Sequence, residues 1–143
     1  MLKNIDVLLN AQLLSILAEM GHGDELAIVD ANFPATSMGR RVVHMSQSAV
    51  ATLDAVLTLL PLDDFVEAPV AVMEVVGAPD DIPETVKEFQ LSVNRAEQRT
   101  IKMDRIDRFS FYERTKSAFA VVATCETRLY GCIFVKKGVI RPK

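Results

Sequence analysis

Apolar residues recur at Leu13, Leu14, Leu17 and Met20, the spacing of one helical face, just after Asn10, a residue type that caps helix N-termini. Gly21 is expected to close this helix in a left-handed conformation. Leu26–Asp30 (LAIVD) is a continuous apolar run ending in an acid, the pattern of a buried parallel strand. The segment ANFPATSMG after it reads as a loop punctuated by Pro and Gly, and Arg41–Met45 as a second strand. Ser46 or Ser48 can cap a second helix with Val50, Leu53, Leu57 and Leu60 inward, stopped by Pro61.

Ala68–Val76 reads as a strand bounded by Gly77 and Pro79, and Pro83 suits the first turn of a third helix with Val86, Phe89 and Val93 inward. A short strand near Ile101–Met103, a helical turn around Ser110–Lys116, and strands at Phe119–Thr124 and Tyr130–Val135 complete the pattern. Strands alternating with helices predict an α/β fold. The expected architecture is three-layer α/β/α, with a central, mostly parallel sheet of about six strands. Ligands of such folds bind beyond the carboxyl ends of the strands, which directs attention to the loops there.

With 143 residues, half of them apolar, one domain spanning the whole chain is expected. The apolar fraction also leans toward surface covered by other subunits. The net charge of −3 is interspersed, and the basic clusters are short (Arg40-Arg41, Lys136-Lys137). That disfavours nucleic acid, whose binders concentrate basic charge on one face. The N-terminal leucines are interrupted by Asn4, Asp6, Asn10 and Glu19, so neither a signal peptide nor a membrane span is predicted. Cys125 and Cys132 form no metal-ligand motif. They read as buried thiols of a cytoplasmic protein, with no metal and no cofactor expected.

Four groups could carry chemistry. In Gly21-His22-Gly23-Asp24-Glu25 the flanking glycines leave a ligand room to approach His22, and histidine titrates where proton transfer is useful; the alternative is an exposed turn. Asp30, at a strand end, could accept bonds from hydroxyls or simply cap the next loop. In Asp107–Arg114, Arg108 and Tyr112 lie four apart on one helical face, while Phe109 and Phe111 read as core. Leu129-Tyr130-Gly131-Cys132 combines a phenol with a glycine that admits close approach, or is a plain strand start. His44 reads as structural or surface. GxSxG, HExxH and phosphate-loop patterns are absent. One histidine, one or two tyrosines and a few acids suit proton shuttling on a polyol.

The segments EMGHGDELAIVDANFP, LLPLDDFVEAP, RFSFYERTKSAFAVVATCE and LYGCIFVKKG closely resemble the fucose branch of the RbsD/FucU family, from about Leu8 to Gly138. The resemblance implies a ring-forming α/β protein, commonly a decamer built from pentameric rings, with its site near subunit contacts. It implies mutarotation, the opening and reclosing of a sugar hemiacetal, with L-fucose the favoured monosaccharide. By position, His22 would be the proton donor and Tyr112 a second acid/base group. Asp30, Asp63, Met73, Arg108 and Tyr130 would contact substrate, with Gly131 and Cys132 completing the Tyr130 motif. The family carries Asn where this chain has Cys132, and a thiol is a poorer hydrogen-bonding group than a carboxamide. That departure keeps a second expectation in view, a non-catalytic sugar-binding or transport-accessory protein.

Overall fold

The structure, a computed structural model, describes residues 1–143. Its elements in chain order are α1 (Ala11–Glu19), β1 (Glu25–Val29), α2 (Ala35–Met38), β2 (Val42–His44), α3 (Ala49–Leu57) and β3 (Val70–Met73). They continue with α4 (Glu84–Glu97), β4 (Met103–Ile106), α5 (Arg108–Ser117), β5 (Ala120–Ala123) and β6 (Ile133–Lys136). The strands form one sheet in the order β2-β5-β1-β6-β3-β4. The pairs β2·β5, β5·β1 and β3·β4 are parallel, while β6 runs antiparallel to both β1 and β3.

Alternation along the strands divides the core. Leu26 and Ile28 face a cluster with Leu13, Leu53 and Phe89 from α1, α3 and α4. Ala27 and Val29 face a smaller cluster with Ala35 of α2 and Phe111 of α5. Helices therefore cover both faces, and the sheet is mostly parallel, as the sequence predicts. The reversal of β6 has a local cause. Residues 124–132 between β5 and β6 contain no helix, and a parallel return requires a crossover of a dozen or more residues.

Asn10 caps α1 by accepting the Leu13 N–H at 2.8 Å. The end of α1 differs from expectation: Met20 is extended, and the left-handed glycine is Gly23 (φ 86°), not Gly21. No left-handed cap is needed there, because Lys137 Nζ donates to the terminal carbonyls of Leu17 (2.8 Å) and Met20 (2.5 Å). Ser48, rather than Ser46, caps α3, whose buried face is Ala49, Thr52, Leu53 and Val56. Val50 and Leu57 lie at its margin, and α3 ends before Pro61.

The ANFPATSMG loop holds the one-turn α2, β3 is shorter than its apolar run, and β4 begins two residues later than expected. The turn around Ser110 is a full helix, capped by Asp107, which accepts the Ser110 N–H at 3.0 Å. Phe109 and Phe111 do not share the core. Two positions apart on a helix they point to nearly opposite sides, so Phe111 is buried and Phe109 is 68 % exposed. Cys125 is likewise exposed, and only Cys132 is a buried thiol.

Candidate active site

The sequence-predicted residues collect at the two opposite edges of the sheet. His22 lies in the α1–β1 loop, at the edge where β1 begins and β6 ends. Gly23 N–H donates to the Lys137 carbonyl (2.8 Å) and Asp63 N–H to that of Lys136 (3.0 Å). These bonds set His22 Nε2 3.0 Å from Asp63 Oδ1, with the imidazole 44 % exposed and the carboxylate 3 %. An ionised carboxylate only accepts, so Nε2 carries the proton and Nδ1 is the ring nitrogen left for a ligand. The Phe65 N–H donates to the same Asp63 oxygen at 3.1 Å, and the Phe65 ring packs against His22 with centroids 5.1 Å apart.

Burial pushes the Asp63 carboxyl up, but the bonds from Phe65 N–H and His22, with the Lys136 charge, outweigh it and hold the group below its ordinary range. A carboxylate depressed in the folded state adds stability that is fully present above its ordinary range and is lost as pH falls from there through the lower folded value. The urea midpoint is therefore expected to drop as pH falls below about 4, and to drop less steeply in Asp63→Asn. Parallel slopes for the two proteins would show that Asp63 contributes nothing to the acid transition.

The second group lies where β1, β3 and β4 end and β6 begins. Asp30 is 7 % exposed; its Oδ1 accepts the Asn32 N–H at 2.9 Å and its Oδ2 accepts the Cys132 thiol at 3.4 Å. Burial, and then the Asp30 charge, push the Cys132 thiol well above its ordinary range, so it stays protonated and donates. Tyr130, expected to open the last strand, instead stands in the preceding loop with φ 62°. Left-handed backbone is uncommon for an aromatic residue. The Val76 N–H donates to its hydroxyl oxygen at 3.0 Å, which leaves the O–H hydrogen free to donate to a ligand.

Gly131 packs where no side chain fits, since a Cβ there would lie 2.7 Å from Glu126 Cγ. Met73, 6 % exposed, ends β3 behind this edge. Arg108 opens α5 and, with Glu74, Val76, Pro79 and Phe109, lines a cleft of about 270 Å³. Tyr112, half-buried one turn further along α5, packs edge-on to Phe33 of the Asp30 loop at 5.3 Å.

The structure thus joins Asp30, Tyr130, Gly131 and Cys132 directly, with Met73, Arg108 and Tyr112 on the same side. His22 and Asp63 form a separate pair. Five residues of β1 lie between the groups, roughly 16 Å at about 3.3 Å per residue, far beyond the ~3 Å reach of a proton transfer.

Two structural partners were not singled out in the sequence. Glu126, 3 % exposed, binds Arg128 through both carboxylate oxygens, and Arg128 reaches on to Glu88 at 3.0 Å. Arg128 first, against burial, holds the Glu126 carboxyl below its ordinary range. The Glu126 carbonyl accepts the Ala31 N–H at 2.9 Å, so this network fixes the Asp30 and Tyr130 loops together. Phe65 is the other; an aromatic two residues after Asp63 was its only signal. No group of three or more His, Cys, Asp or Glu side chains is arranged to hold a metal ion, and no helix is long and apolar enough to cross a membrane.

An α/β sheet with an exposed histidine on a buried carboxylate at one edge, and an acid, a phenol and an arginine at the other, is equipped for proton transfer on a polyhydroxy ligand. The profile of the family described as "RbsD / FucU transport protein family" matches residues 3–140, and the chain belongs to that family. It is 42 % identical over 140 residues to L-fucose mutarotase of Actinobacillus pleuropneumoniae, covering 97 % of each chain. It is 45 % identical over 145 residues to human fucose mutarotase, covering 97 % of this chain and 94 % of the human one. The crystal structure of the fucose mutarotase from Streptococcus pneumoniae in complex with L-fucose superposes with a TM-score of 0.91 at 38 % identity, covering 98 % of this chain and all of the other.

Proposed function

We propose that this protein is a mutarotase, an isomerase that interconverts the α and β anomers of L-fucose by general acid–base ring opening and closure. The observation that carries the reading is the His22–Asp63 pair: an exposed imidazole whose Nε2 is fixed on a buried carboxylate and whose Nδ1 is free. The family and the relatives named fucose mutarotase support it. In the reaction a proton reaches the ring oxygen as another leaves the anomeric hydroxyl, the ring opens to the aldehyde, and closure on its other face reverses the transfers. His22 as imidazolium, its Nε2–H kept on Asp63, gives the Nδ1 proton to the ring oxygen, and Tyr112 accepts the anomeric proton on its phenol oxygen as its own proton passes to solvent; closure returns both protons. Asp30, Arg108 and the Tyr130 hydroxyl hold the remaining oxygens. Cys132 acts on Asp30, taking one of its carboxylate oxygens.

Because the two groups lie at opposite edges of one protomer, the reading requires assembly. The carboxyl edge of one protomer receives His22 of the partner subunit, and the arrangement that repeats this contact is a ring, with the decamer of pentameric rings as the expected form. The reading locates the protein in the cytoplasm, a reducing compartment suited to an exposed free thiol such as Cys125.

Exchange NMR of the anomeric protons of L-fucose, with D-ribose in parallel, tests the function. The expected result is faster exchange for L-fucose at catalytic protein concentration and a smaller effect on D-ribose. Saturable binding of L-fucose without faster exchange would replace this reading with the non-catalytic sugar-binding one.

A further inference from the structure

Phe65 is an aromatic side chain that the core does not use. Phe89, Phe111 and Phe134 are fully buried, whereas Phe65 is 65 % exposed. It is nonetheless held in place. Its N–H is bound to Asp63 Oδ1, its ring packs on His22 at 5.1 Å, and the Arg141 guanidinium sits over it at 5.4 Å. Arg141 is in turn clamped by both oxygens of Asp64, at 2.6 and 3.2 Å. An exposed ring fixed in this way, against the one imidazole with a buried carboxylate partner, offers a rigid apolar wall to whatever His22 acts on.

We propose that Phe65 is a specificity-determining residue of the His22 site, an apolar wall that receives the methyl-bearing face of a 6-deoxy sugar, and that the Asp64–Arg141 clamp positions it. The proposal rests on the mutarotase reading and names what that site selects. L-fucose presents a methyl group on C5 and has no 6-hydroxyl. Laid on Phe65, the methyl leaves water for an aromatic surface, while a sugar without it gains nothing there. One methyl in an apolar site is worth roughly tenfold in kcat/KM at the low end of the usual range.

D-arabinose in its pyranose form has the same ring and hydroxyl configuration as L-fucose and lacks only that methyl, so the pair isolates the contact. Anomer-exchange rates of both sugars are measured for the wild-type protein and for Phe65→Ala, Phe65→Leu and Arg141→Ala. The wild type is expected to favour L-fucose about tenfold in kcat/KM. Phe65→Ala should reduce the ratio to about twofold or less, chiefly through KM for L-fucose, with a smaller loss for D-arabinose. Phe65→Leu keeps apolar bulk and should retain much of the preference, and Arg141→Ala should fall between. A fucose-to-arabinose ratio unchanged in all three variants, or a loss equal for both sugars, overturns the proposal while leaving the mutarotase reading intact. Wild-type protein that speeds neither sugar overturns the mutarotase reading itself.

Discussion

Replacing His22 with alanine is expected to slow L-fucose anomer exchange by roughly 10²- to 10⁴-fold, the contribution of one positioned acid–base group, while the sugar still binds. The size follows from the geometry. His22 is the one imidazole held on a buried carboxylate, and that contact commits Nε2 and leaves Nδ1 open. His44, exposed at the end of β2, has no comparable partner and cannot substitute. In the proposed assembly the sugar is held from the opposite edge of a neighbouring sheet, so its hydroxyl contacts are expected to survive the substitution. Exchange NMR of the anomeric signals, alongside a binding titration, separates the two effects. Full exchange activity in His22→Ala would remove this histidine from the chemistry.

Gly131→Ala should damage both stability and activity. The added methyl would sit 2.7 Å from Glu126 Cγ and 3.4 Å from both the Arg128 carbonyl and Asp30 Cβ. Glu126 has little freedom to give way: it is buried, and its two oxygens are occupied by Arg128. Overpacking of this kind costs about 1–3 kcal/mol, a loss of roughly 3–12 °C in Tm for a chain of this size. Any relaxation displaces Asp30 or Tyr130, so KM for L-fucose should rise as well. Thermal melts and exchange kinetics on the same preparation would show it. An unchanged Tm would mean that the Glu126–Arg128 pair yields easily and does not brace this loop.

The elements that carry a strong periodic pattern were legible in the chain. Asn10 before an i, i+3, i+4 run, Pro83 before Val86, Phe89 and Val93, and the LAIVD run each led to the right element within a few residues. What failed depended on partners distant in sequence. Gly21 looked like a helix stop because nothing local shows that Lys137 takes the terminal carbonyls of α1. The face of α3 was rotated because Val50 and Leu57 are apolar, yet tertiary packing buries Ala49, Thr52 and Val56 instead.

The site divides in the same way. Each candidate residue could be named from its local motif, and the LAIVD strand already separates His22 from Asp30; the motifs do not say which of these two ends Asp63, Tyr130 and Cys132 join. That assignment follows from the antiparallel course of β6, which sets Cys132 beside Asp30 and Lys136 beside Asp63, and is readable only in the lack of a helix between residues 124 and 132. Glu126 and Phe65 were missed because neither has a motif of its own; each gains meaning from the group beside it.

The place of β6 also bears on how the chain is made. Of the six strands β6 comes after the other five in the chain, and it is the one that joins β1 to β3; without it the strands can pair only as β2-β5-β1 and β3-β4. Each presents a bare, apolar inner edge, the kind that pairs with other chains. A chain that stops before Ile133 leaves the centre of the sheet open and is expected to be prone to aggregation and proteolysis.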